Sequence, residues 1–179
     1  MHFAFFETLG TWVQPWADLY SKHANLSTAV LTVHVLSMFV GGGMAIAADR
    51  AILRAPAGSA EATRAVMADL VTTHSYVIGS LVVSFITGIS LFLSDVPTFS
   101  VSAVYWVKMA ALVLLLINGL RMQRAEDRVM GTLRDLPIHT SEMPIAFARN
   151  EWSAIRRTAV VSVITWISIV ILGMILTNK

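Results

Sequence analysis

The chain reads as an all-α integral membrane protein: a four-helix bundle with an N-terminal interfacial amphipathic helix. Three observations predict this. Hydrophobic residues make up 56% of the 179 positions and charged residues only 13%, half the ~25% of a soluble domain. Mean hydropathy is +0.69. Four apolar runs approach the ~20 residues needed to cross ~30 Å of hydrocarbon.

The four runs lie at about 27–48, 72–93, 103–120 and 158–177 of a single transmembrane domain, 1–179. The first is interrupted by His34. The second has its apolar core at Val77–Leu93, and its helix begins earlier, near Ala62. The third holds Lys108 and Asn118. Residues 1–26 precede the spans. Phe3, Phe5, Phe6, Leu9, Trp12, Val13 and Trp16 alternate there with Glu7, Gln14 and Asp18. That pattern fits an amphipathic helix anchored in the interface by Trp12, Trp16 and Tyr20, or a short strap packed on the bundle. No basic region follows Met1, so no removable signal peptide is expected.

Loop charge orients the spans. Ten of the 13 basic residues fall in two connections: Arg50, Arg54 and Arg64 in the first, and Arg121, Arg124, Arg128, Arg134, Arg149, Arg156 and Arg157 in the loop 121–157. The positive-inside rule places both connections in the cytoplasm and both termini outside. Pro97 breaks the short outer loop. Pro137 and Pro144 divide the long one, and its first part, Arg121–Arg134, extends the third helix. His139 falls between these prolines.

Ionisable groups at membrane depth are costly and face the bundle interior or water. His34, His74 and Lys108 are therefore the candidate site residues. Helix rise puts His34 roughly 10 Å below the outer surface, with Lys108, Thr87, Ser90, Thr165 and Ser168 near the same level. His74 lies near the inner end of the second span, at the depth of Asn118, close to Asp49 and Arg121. His34 and His74 are separated by roughly 20 Å along the normal. They are poor candidates for the two axial ligands of one haem, and each is a candidate ligand of its own haem iron. His34 is otherwise a proton carrier or an interhelical hydrogen bond. Lys108 pairs with a haem propionate or a quinone oxygen, or snorkels to the interface.

His34, Met38, Gly41 and Ala45 share one helix stripe. Gly41, in the run Gly41-Gly42-Gly43, suits either close helix packing or a flat macrocycle against the backbone. Ser80, Ser84 and Gly88 form a second small-residue stripe. Met38, Met44, Met109 and Met174 read as core filler, with Cu(I) ligation as the other use of thioether. Cys is absent, which excludes disulfides, thiolate metal sites and iron–sulfur clusters. No nucleophile triad, phosphate loop or metal-ligand spacing appears.

The run His34-Val-Leu-Ser-Met-Phe-Val-Gly41 with Asp49-Arg50, the segment Thr87-Gly88-Ile89-Ser90-Leu91-Phe92, and Trp106-Val107-Lys108-Met109 carry a resemblance. Together they span about Leu31 to Leu120 and resemble a family of uncharacterised four-helix bacterial inner-membrane proteins. More distantly, the His in span one and the W-x-K pattern of span three are similar to the copper-resistance protein D and HemJ-type protoporphyrinogen oxidase group. That resemblance implies a bacterial inner (plasma) membrane location. From the HemJ-type members it implies haem binding and porphyrinogen oxidation, carried onto His34 and Lys108.

Three functions are expected from these residues. The first is a small membrane redox protein binding b-type haem, a quinone or both, with His34, His74, Lys108 and Gly41 at the cofactor. The second is a copper-handling protein using His34 and Met side chains. The third is a non-catalytic subunit or assembly factor. The partners expected are the lipid bilayer and a membrane protein or second copy of the chain, with no nucleic acid.

Overall fold

A computed structural model describes residues 2–56, 59–135 and 150–177. Among the described residues the chain is all helix: α1 (His2–Trp12), α2 (Gln14–Lys22), α3 (Ala24–Arg54), α4 (Ala60–Ser94), α5 (Val96–Val101), α6 (Ala103–Asp135) and α7 (Glu151–Thr177). The helices α3, α4, α6 and α7 are long and apolar enough to cross a membrane. In each, no more than 22% of the most apolar window is buried inside the protein. Leu36 and Phe39 of α3, Val82 and Ile86 of α4, Val113 and Leu116 of α6, and Ile164 and Ile171 of α7 face outward. An outer surface this apolar suits lipid rather than water.

The four helices run longer than the apolar windows alone predict. On α6 the cause is a second stripe, Met122, Ala125, Val129 and Leu133, all buried. Its spacing of three and four continues one helix face past the last lipid-facing residue. Residues 151–157, assigned from the sequence to the long loop, begin α7 instead, and Trp152 and Ile155 are buried there. Pro137, Pro144, His139 and Arg149 lie outside the described residues. Local caps set the remaining boundaries. The Ser59 hydroxyl accepts from the Ala62 amide at 3.1 Å and starts α4. The Asp95 carboxylate accepts from the Thr98 amide at 3.2 Å and starts α5, as side-chain oxygens do at helix N-termini.

In the bundle, α3 packs against α4 and α7, α7 packs against α6, and α4 and α6 scarcely touch. The end carrying the N-terminal helices is called here the strap end, and the opposite one the loop end. At the loop end Ile52, Met67, Val129, Trp152 and Ile155 form a dry core joining all four long helices. Above it Met38, Leu115, Trp166 and Ile169 make a plug across the middle.

The N-terminal segment is a strap of two helices, broken near Val13. The Trp16 indole donates to the Ser90 carbonyl at 2.9 Å and ties α2 to α4. Phe6 packs edge-on to Phe92 and against Trp106. Trp12 remains 81% exposed, free to sit in a bilayer interface. Tyr20 donates to the Ser27 carbonyl, and burial pushes its phenol above the ordinary value.

Candidate functional site

His34 approaches α4 because that helix presents small residues to it. A Cβ built on Gly88 would lie 3.2 Å from His34 Cε1, so glycine makes room for the ring. His34 Nδ1 lies 3.0 Å from the Ser84 carbonyl oxygen and 3.0 Å from Thr87 Oγ1. A carbonyl only accepts, so Nδ1 carries the proton. The Thr87 hydroxyl donates to the Val83 carbonyl at 2.8 Å, leaving its oxygen to receive from the ring. In the neutral imidazole this fixes the tautomer and leaves the Nε2 lone pair without a donor among the described residues. Tying Nδ1–H to a carbonyl is also what orients a histidine for metal ligation.

Lys108 comes from α6 and reaches α7. Its Nζ stands 3.5 Å from where a Cβ on Gly173 would be, ordinary van der Waals contact with that helix. Among the described residues no carboxylate pairs with it. Lys108 does act electrostatically on His34.

Both residues line one cavity of about 490 Å³ between plug and strap end. Ligand pockets run roughly 300–1,000 Å³, so this one takes a molecule of cofactor size. Its lining is apolar apart from His34, Ser84, Tyr105 and Lys108. Tyr105 stacks on Phe92 at 5.1 Å and meets Phe99 at 5.7 Å, making an aromatic roof. Val35, Phe39, Phe85, Ile89 and Met174 line the cavity and are also exposed on the outer surface. The cavity therefore opens sideways between helices.

His34 and Lys108, singled out by their cost in a membrane, thus share one cavity. Gly41 does not line it. A Cβ there would come 2.8 Å from Ser80 Cβ, and one on Gly42 would come 2.9 Å from the Trp166 ring. These two glycines let α3 close on α4 and α7. His74 lies elsewhere, in a loop-end pocket of about 100 Å³, and the Gln123 amide donates to its Nε2 at 2.8 Å. That pocket is below the size range of ligand sites, and the ring nitrogen facing α6 is engaged. Asn118 donates to the Thr158 carbonyl at 2.9 Å and bridges α6 to α7.

Gly173 and Tyr105 gave no usable sequence signal, since an isolated Gly and an interfacial Tyr are common in spans. Ser84 and Gly88 read as a packing stripe, and they also seat the His34 ring. Among the described residues no group of three or more His, Asp or Glu side chains is placed to hold a metal ion. No known family, curated protein or solved structure matches the chain.

Proposed function

We propose that this chain is a small redox protein of the bacterial inner membrane whose strap-end cavity holds a b-type haem. One observation carries the reading. His34 Nδ1 is anchored on α4, and the ring lines an apolar cavity in which Lys108 has no acidic partner. The residues fit the group. Nε2 of His34 would hold the iron, the ammonium of Lys108 would meet a propionate, and the apolar walls would suit the macrocycle. Bound there, a haem would supply one-electron chemistry, and the protein donor and burial would set its potential. The chain's own part is to hold the ring, neutralise a carboxylate and keep water away. A resemblance to the HemJ-type group, on His34 and Lys108, agrees with this reading.

A quinone is the second reading, favoured by the sideways opening. A quinone head entering from the bilayer would meet the Lys108 ammonium as donor and His34 Nε2 as proton acceptor.

The test replaces His34 with alanine in protein purified from haem-replete cells. The Soret band should vanish or shift while the protein still inserts. A wild-type protein with no Soret band rules out haem, and a Soret band unchanged in His34→Ala removes His34 as ligand.

Both termini and the cavity face outward in this proposal, because the Arg-rich segments belong in the cytoplasm. Topology reporters fused at Gly131 and at the C-terminus should report opposite sides. The same side for both contradicts the orientation.

A further inference from the structure

The loop-end pocket holds two carboxyl groups with buried oxygens that meet no donor. Asp49 lies 15 residues beyond His34 on α3, or roughly 22 Å along the helix. It is 3% exposed, lines the pocket, and its Oδ2 meets no donor. Glu126 of α6 lines the same pocket, and its Oε1 is also buried without a partner. A buried acceptor left unsatisfied costs about 1–3 kcal/mol, and more if it is charged.

The neighbours do not resolve this. From α7, the Ser162 hydroxyl stands beside Asp49. Arg156, on the same helix, turns its guanidinium to the Leu53 and Ala55 carbonyls instead. From α4, His74 is within electrostatic reach of Glu126, but its Nε2 receives the Gln123 amide. On α6, the amide N–H of Asn118 is used by Thr158, Arg121 is exposed, and Asp127 adds another negative charge near Glu126. Arg50 of α3 is exposed. Among the described residues no Lys or Arg pairs with either carboxyl, and Asp49 and Glu126 feel each other.

The pocket's 100 Å³ has room for about three waters at ~30 Å³ each. Two carboxyl groups lining one small pocket away from bulk water resist ionising together, and a proton shared between them belongs to the pair.

We propose that Asp49 and Glu126 form a proton-holding site, in which a small water cluster bridges the two carboxyls and the pair carries one exchangeable proton. Loading takes one hydronium ion from the loop-end side: a carboxylate and H₃O⁺ become a carboxylic acid and water. Release is the reverse, and no electron moves. The site stands whether or not the strap-end cavity holds a redox cofactor.

Infrared spectroscopy of the purified protein in nanodiscs tests it. At neutral pH the wild type should show a carboxylic acid C=O stretch that shifts in heavy water and disappears in mildly alkaline buffer. Asp49→Asn and Glu126→Gln should each remove most of that band or displace it. Glu61→Gln, at an exposed position in the first turn of α4, should leave it unchanged. A wild-type spectrum without the band overturns the proposal, whatever the variants do. So does a band indifferent to both substitutions. Thermal stability that rises in sodium chloride but not in choline chloride also overturns it, because the pocket would then hold a cation.

Discussion

Gly42→Leu should destabilise the protein by about 1–3 kcal/mol or more, the cost of forcing extra atoms into a packed interior. Already the first carbon of such a side chain would stand 2.9 Å from the Trp166 ring. Trp166 is 2% exposed and belongs to the mid-bundle plug, so it has little room to yield. Gly43→Leu is the control. Nothing lies within 4 Å of a Cβ there, and the residue is exposed. That substitution should be neutral or slightly stabilising, since Leu is the better helix former. Thermal unfolding followed by helical circular dichroism separates the two. Equal losses would mean that the triplet does not act through the α3–α7 contact.

Lys108→Gln should have opposite effects with and without a ligand. In the empty protein an ammonium without an acidic partner is held in an apolar cavity, a costly placement. Removing its charge should leave stability unchanged or raise it. With a carboxylate or quinone oxygen bound, the loss should be about 2 kcal/mol or more, since the other charge is stranded. That corresponds to roughly thirtyfold in affinity. Lys22→Gln, at an exposed position on α2, should do neither. Thermal stability and cofactor retention of both variants, each with and without ligand, read this out. Equal, small effects at the two positions would make Lys108 a snorkelling residue.

Much of this arrangement was legible in the sequence because a membrane makes polar residues expensive. His34 and Lys108 stand out in apolar runs, and helix rise alone set them at similar depth with Thr87. That Thr87 receives the His34 ring follows from the rotation of α4, which a depth estimate does not contain. Gly41 shows the same limit. A glycine stripe beneath His34 suits a macrocycle or a helix, and sequence spacing does not distinguish them. The approach of Ser80 does. Asp49 and Glu126 were harder to find together. Asp49 was placed at the inner rim by depth. Glu126 lay in a charged stretch, Arg121 to Arg134, where one carboxylate among many basic and acidic residues looks solvated. Only the buried stripe Met122–Ala125–Val129–Leu133 turns that part of α6 inward. The ends of the long helices were misjudged for a related reason. Hydropathy marks where lipid ends, whereas packing at the loop end decides where helix ends.

A redox cofactor held against His34 and Lys108 in the strap-end cavity would leave the membrane with the protein. The most direct test is the cofactor content of wild-type protein purified from its native membrane. An absorption spectrum is taken oxidised and reduced, and an organic extract is then assayed for quinone. A Soret band with α and β bands on reduction is expected, or a stoichiometric quinone in the extract. Either should be lost in His34→Ala. Protein that is folded, colourless and free of quinone would contradict it.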